Sequence, residues 1–252
     1  MRKSIFGVKI GTENINSIIN KINIYLKTKN KDSHPYHIVN MNPEIFILAY
    51  QDSKFRSIIN NADSILIDGI GIKIMSWFYR IKSGQRMTGT DFLNLIVKVA
   101  VENKQKVIFL GGKNNVSYLT GAYFKQKYPK LIFLSSNGVN NIKKENLKER
   151  RKIIKKVNNF KPRFLFISYG SPYQEYWIEK NKQYLNGIVC FGVGGGFNLI
   201  SKRAIRAPKT IRRIGLEWLW RFIFEPQRLF RVIPRYIKFI TLILFGYLSY
   251  KK

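Results

Sequence analysis

The sequence predicts an α/β protein with a parallel sheet flanked by helices. Three observations predict it: short apolar runs alternate with longer stretches of helical spacing from about His37 to Ile200, glycines gather just after those runs, and Pro43 and Pro172 stand where helices should begin. The six runs are His37–Asn42, Ser64–Asp68, Lys106–Gly111, Leu131–Ser135, Arg163–Tyr169 and Gly187–Val193, each rich in β-branched or aromatic residues. Between them, Pro43–Asn61, Gly71–Tyr79, Thr90–Asn103, Asn115–Tyr128, Lys143–Phe160 and Pro172–Asn181 carry apolar residues at helical spacing. With 252 residues, the chain suffices for one substantial domain and an appendage. Residues 1–201 read as a Rossmann-like domain and residues 202–252 as a basic, helical, amphipathic C-terminal appendage.

The appendage stands out by composition. From Lys202 onward, basic residues far outnumber Glu217 and Glu225, and aromatic residues from Trp218 to Tyr250 are interleaved with them, the make-up of an element that lies at a membrane interface. The last apolar run, Phe239–Tyr250, has 12 residues, short of the roughly twenty a spanning helix needs, so it is expected to lie on a bilayer. Across the chain, 45 Lys and Arg face 14 Asp and Glu, a net +31 that calls for an anionic partner: nucleic acid, lipid head groups or a phosphorylated small molecule. Many of these lysines, as in Lys143–Lys156, read more simply as a solvated helix face. No recognised nucleic-acid module is present, so nucleic acid is not an expected partner. The single Cys190 excludes a disulfide framework and points to a reducing compartment, and the N-terminus lacks the apolar core of a secretory signal; a cytoplasmic location is expected.

In an open parallel sheet, ligands bind beyond the carboxyl ends of the strands, so the residues just after each run matter most. Asp68 ends the run Ile65-Leu66-Ile67 and is followed by Gly69 and Gly71, which presents a carboxylate at a strand end. It could take a proton from an attacking hydroxyl or cap the following helix, and position alone does not choose. Asn40 and Asn42 lie two apart and point the same way, toward a substrate hydroxyl or amide, or into turn and capping bonds. Gly192-Val193-Gly194-Gly195-Gly196 has the look of a phosphate-cradling loop, a weak signal by itself. Arg86, just ahead of a helix near Asp91, is a phosphate ligand or a surface arginine. A dinucleotide-binding dehydrogenase would need Gly-x-Gly-x-x-Gly after the first strand, where Asn42-Pro43-Glu44 stands instead.

Taken in order, several segments resemble the WecG/TagA/CpsF glycosyltransferases, glycosyltransferase family 26. They are Asn42-Pro43-Glu44, Ile59–Gly71, Arg86–Asp91, Phe109–Gly112, Gly170–Trp177, Gly192–Gly195, Arg206–Pro208, Gly215–Arg221 and Glu225–Arg228, and the likeness covers about residues 5 to 240. The resemblance implies inverting transfer of an N-acetylmannosamine-type sugar from a UDP donor to an undecaprenyl-diphosphate-linked sugar, without metal or other cofactor, at the cytoplasmic face of the membrane. It sets Asp68 at the catalytic base, Asn42 and Gln174 in the substrate site, and Arg221, Arg228 and Arg231 over the donor diphosphate. The family commonly has Thr where this chain has Asn40, and Asp where it has Asn198. An amide in place of a hydroxyl or carboxylate changes what the pocket can donate or accept, which keeps hexose and uronic acid donors open. A homo-oligomer is compatible with all of this.

Overall fold

The computed structural model describes residues 3–27, 34–139, 141–224 and 229–250. All six expected strands form one parallel sheet. They are β3 (Tyr36–Met41), β4 (Ser64–Ile67), β5 (Lys106–Gly111), β6 (Ile132–Ser136), β7 (Phe164–Ser168) and β8 (Val189–Gly192), in the order β4-β3-β8-β7-β5-β6. The sequence reading began at His37 and so passed over an N-terminal hairpin, β1 (Ser4–Ile5) and β2 (Val8–Lys9), and helix α1 (Ile15–Lys27). The hairpin turns through Phe6 and Gly7, both at positive φ, the geometry that matches the twist of its strands.

The segment expected as one helix, Pro43–Asn61, is two: α2 (Pro43–Gln51) and α3 (Ser53–Asn60). Asp52 between them has extended φ/ψ of −119° and 110°, and its side chain accepts from the Lys54 and Phe55 amides, so a new helix starts there. The other helices fall close to expectation: α4 (Ile70–Phe78), α5 (Gly89–Glu102), α6 (Val116–Lys127), α7 (Leu147–Phe160) and α8 (Tyr173–Asn181). Helix α7 starts at residue 147, four later than the apolar pattern began, because Asn146 and Glu149 form a reciprocal capping box. Then come α9 (Gly196–Ile200), α10 (Lys209–Ile214), α11 (Glu217–Phe224) and α12 (Leu229–Tyr250).

The chain divides into two compact units. In the one made of residues 16–39 and 89–203, alternate residues of the strands fill two cores. Ile108, Leu110, Leu165, Ile167 and Cys190 pack with Ile153, Val157 and Trp177 of α7 and α8. The alternate residues include Phe109 and Phe166, and Phe109 meets Phe124 of α6 at 5.9 Å and Phe197 of α9 at 5.8 Å. Burial on both faces explains why these strands read as continuous apolar runs.

The other unit comprises residues 1–15, 40–88 and 204–252. Here Val232, Phe239 and Ile243 of α12 are buried, and Phe239 meets Phe46 of α2 edge-on at 5.8 Å. Arg235 of α12 pairs with Glu44 of α2. Among the described residues no helix is long and apolar enough to cross a membrane; the 22-residue α12 is interrupted in its apolar character by Arg231, Arg235 and Lys238 and holds Pro234.

Candidate active site

Within the unit that holds β4, Asp68 follows the strand directly. Its amide donates to the Met41 carbonyl at 2.7 Å, which fixes the backbone beside the carboxyl end of β3. Asp68 does not stand at the N-cap position of α4, which is Gly69. Gly69 has φ +88°, a conformation that a side-chain-bearing residue adopts only under strain, so the glycine is what lets the chain leave the strand with the carboxylate aside from the helix. Asn40, on β3, donates from Nδ2 to Asp68 Oδ2 at 2.8 Å. Its own Oδ1 is buried and accepts no hydrogen bond. Buried acceptors are nearly always satisfied, so this oxygen is an atom with a donor still to come.

Asn42 follows a different course from its neighbour two residues back. Its Oδ1 accepts from the Ile45 amide at 2.9 Å and it is the N-cap of α2, with Pro43 in the first turn. Of the two readings, Asn42 Oδ1 takes the capping one, while Asn40 is bonded to the Asp68 carboxylate. Arg86 runs beside β4, bridged in parallel to Ile67, and its Nη2 donates to the Arg212 and Arg213 carbonyls at 2.9 and 2.6 Å. Those carbonyls close α10, where a cation satisfies groups that have no intrahelical partner. Arg86 is thus a strut between β4 and the C-terminal segment in this structure. Arg221 lies half-buried on α11, Arg231 lies on α12, and Arg228 falls outside the described residues.

The other unit carries a second constellation, at the ends of β7 and β8. Gln174 of α8 is 2% exposed. Its Oε1 accepts from the Gly194 amide at 3.0 Å, and its Nε2 donates to Glu175 Oε1 at 2.8 Å and to Ser171 Oγ at 3.3 Å. Ser171 Oγ in turn donates to Glu175 Oε1 at 3.0 Å. The Gly194 carbonyl accepts from Ser168 Oγ at 2.6 Å. Both backbone polar groups of Gly194 are therefore held by side chains, and its N–H, the donor a phosphate cradle would use, is committed to Gln174. Gly192 is required because a Cβ there would stand 2.4 Å from Gln174 Nε2. Gly195 is the N-cap of the short α9, and the Gly196 amide closes a turn onto the Val193 carbonyl at 2.9 Å.

Sequence reasoning missed Ser168, Ser171 and Glu175 as parts of this clamp, and Arg235 as the partner of Glu44. Ser168 carried a usable signal: it is a polar residue ending the apolar run Phe164–Ile167, the same pattern that singled out Asp68. Tyr169 beside it is half-buried with its hydroxyl shut away from water, and that burial pushes its titration upward, with smaller upward contributions from Glu145 and Glu149. Asn198 is exposed on α9. Among the described residues, no group of three His, Cys, Asp or Glu side chains is placed to hold a metal ion.

The profile of the glycosyl transferase WecG/TagA/CpsF family matches residues 3–252. Curated proteins of Staphylococcus aureus strains NCTC 8325 / PS 47 and COL are each 28% identical over 228 residues, which cover 90% of this chain and 87% of theirs. Both carry the name N-acetylglucosaminyldiphosphoundecaprenol N-acetyl-beta-D-mannosaminyltransferase.

Proposed function

We propose that this chain, which belongs to the WecG/TagA/CpsF glycosyltransferase family, moves an N-acetylmannosamine-type sugar from a UDP donor to a sugar carried on a polyprenyl diphosphate. The acceptor class and the sugar follow the names of the Staphylococcus aureus relatives. The observation that carries the reading is Asp68: a half-buried carboxylate at a strand end, one residue ahead of the N-cap Gly69 of the helix that follows, with one oxygen held by Asn40. In a single displacement with inversion, the acceptor hydroxyl gives its proton to Asp68 while its oxygen bonds to the sugar C1. The bond from C1 to the diphosphate oxygen breaks and UDP leaves with the electron pair.

The charge that grows on the leaving diphosphate needs fixed positive partners. Arg221, Arg228 and Arg231 are the proposed ones, with Arg86 supporting the segment that carries them through its bonds to α10. Asn40 and Asn42 are proposed to serve the substrate on the same unit. On the other unit, Gln174, Gly194 and Gly195 are proposed to serve it through the loop that Gln174 braces. The basic, aromatic C-terminal segment is proposed to hold the enzyme at the anionic cytoplasmic face of the membrane, where a lipid-linked acceptor resides. Asn40 and Asn198 in place of the family's Thr and Asp leave a hexose or uronic acid donor as the second reading.

A donor screen tests the proposal: purified protein, a panel of UDP-sugars and a short-chain lipid-diphosphate acceptor, with UDP release and product mass as readouts. Turnover with UDP-N-acetylmannosamine above all others is expected, falling by a factor of about 10² to 10⁴ in Asp68→Asn at unchanged melting temperature. A fully active Asp68→Asn enzyme would remove Asp68 from the chemistry, and turnover only with another UDP-sugar would replace the donor.

A further inference from the structure

Helix α4 starts one residue after Gly69 and so leads directly away from the Asp68 carboxylate. Its inner face is buried through Ile72, Met75 and Ser76, yet its outer face is apolar too: Ile74 is 45% exposed and Trp77 is 75% exposed. Tryptophan exposed to this degree is uncommon on a soluble surface and is favoured at the boundary between bilayer and water, where its flat ring and N–H suit both sides. Cations border it, for Arg80 and Lys82 are exposed while Tyr79 and Ile81 between and before them are buried.

The neighbouring helix repeats the pattern. Phe239 of α12 lies against Gly71 at one end of α4, and at the other Tyr79 Oη donates to the Ile243 carbonyl at 3.3 Å and lies against Gly246. The two helices thus run side by side. Along α12, Phe230, Ile233, Ile237, Ile240 and Leu244 are all exposed, at alternating spacings of three and four that form one stripe opposite the buried Val232, Phe239 and Ile243. Lys238 is exposed on the same helix.

We propose that the outer face of α4, led by Trp77 and Ile74, docks on an anionic bilayer and continues the α12 stripe as one lipid-facing surface. The inference rests on the polyprenyl-linked acceptor proposed above, and it adds a geometric reason for the docking. A helix that docks by one face lies along the bilayer, so the strand end that bears Asp68, just ahead of α4, is held within about one helix diameter of the lipid, roughly 10–12 Å, the order of one diphosphate and one sugar ring. Apolar side chains rimmed by arginine and lysine suit negatively charged lipid, and the net +31 adds long-range attraction.

The test uses the full chain, vesicles of phosphatidylglycerol and phosphatidylcholine in equal amounts, and flotation. Trp77→Ser is expected to lower the fraction bound roughly tenfold and Trp77→Phe to restore most of it, with melting temperatures unchanged. In the same variant, turnover of a vesicle-embedded acceptor falls in step with flotation, whereas turnover of a water-soluble short-chain acceptor stays at the wild-type rate. Unchanged flotation of Trp77→Ser overturns the proposal. So does a change of the variant's sedimentation from oligomer to monomer without loss of flotation, which would assign the face to a second copy of the chain. Equal loss on both acceptors in a folded variant would move Trp77 into the reaction centre and overturn it as well. A wild-type protein that turns over neither acceptor would refute the glycosyl-transfer reading, while flotation would still decide the docking face.

Discussion

Asn40 offers the sharpest test of how the base is prepared. Replacing it by alanine removes the Nδ2 donor that stands 2.8 Å from Asp68 Oδ2. A hydrogen bond to a charged group contributes about 1.5–3 kcal/mol, and the half exposure of both residues trims that to about 1–2 kcal/mol. Two consequences pull in opposite directions. A carboxylate that has lost a donor is the stronger base, but it is also free to rotate away from the hydroxyl it must meet. Brønsted behaviour passes on only part of a gain in basicity, while lost orientation is felt in full, so a net fall of about five- to thirtyfold in kcat/KM is expected. The donor also favours the ionised form, so in Asn40→Ala the acid limb of kcat/KM moves to higher pH. The assay is initial-rate UDP release across pH for wild type, Asn40→Ala, Asp68→Asn and the double variant. If Asn40 works through Asp68, its loss costs little more once Asp68 is gone. Equal costs of Asn40→Ala in both backgrounds, with the acid limb unmoved, would refute the reasoning and leave Asn40 as a substrate contact alone.

Three further outcomes follow from the same geometry. Gln174→Glu keeps an acceptor for the Gly194 amide but withdraws the donor to Glu175 and sets two carboxyl groups together in a buried site; a loss of about 2–4 kcal/mol is expected at neutral pH, and thermal melts should show the gap to wild type narrowing toward pH 5, where one carboxyl regains a proton to donate. Arg86→Ala removes both bonds to the end of α10 and should lower stability by about 1–3 kcal/mol, with faster proteolysis between residues 204 and 216, while Arg86→Lys recovers part of the loss. Tyr169 keeps its proton in the folded chain at a pH where the unfolded chain has lost it, so the stability it contributes is whole below about pH 10 and declines above; Tyr169→Phe should flatten the alkaline fall of the melting temperature.

The sheet was legible in the sequence because both of its faces are covered, and burial on two sides leaves runs such as Phe164-Leu165-Phe166-Ile167 with no polar interruption. The N-terminal hairpin was not, since two-residue strands show no alternation, and the break at Asp52 was hidden because Ile45–Ile59 keeps helical apolar spacing across it. At the site, position picked out Asp68 and Asn40, but single-segment reading could not foresee that Gln174 and Gly194, twenty residues apart, share a hydrogen bond. Each segment alone was a weak signal. Their meaning is joint: Gly192 has no side chain so that Gln174 can lie across the strand end, and Gln174 lies there to hold Gly194.

The C-terminal segment shows where composition stops being informative. Interleaved aromatic and basic residues read as one interfacial element, but composition does not say which way a ring faces. Periodicity along α12 does. Val232, Phe239 and Ile243 turn inward onto the unit's core, and Trp218 of α11 lies 5.0 Å from Tyr236 of α12, so part of the aromatic content serves packing within the protein. Phe230, Ile233, Ile237, Ile240 and Leu244 turn outward. Arg235 likewise is drawn inward to Glu44, next to the cap that Asn42 makes on α2. Deleting residues from Leu216 onward would therefore remove core contacts as well as any membrane contact, and loss of activity in such a truncation could not tell an anchor from a structural support. Single outward-facing changes can: Ile237→Ser should lower binding to anionic vesicles and leave the melting temperature within about 1 °C, whereas Phe239→Ser, in the same helix two residues on, should cost about 2–4 kcal/mol of stability. Similar melting temperatures for the two variants would mean that α12 is not part of the fold in solution and that its inward face, too, is free to meet lipid.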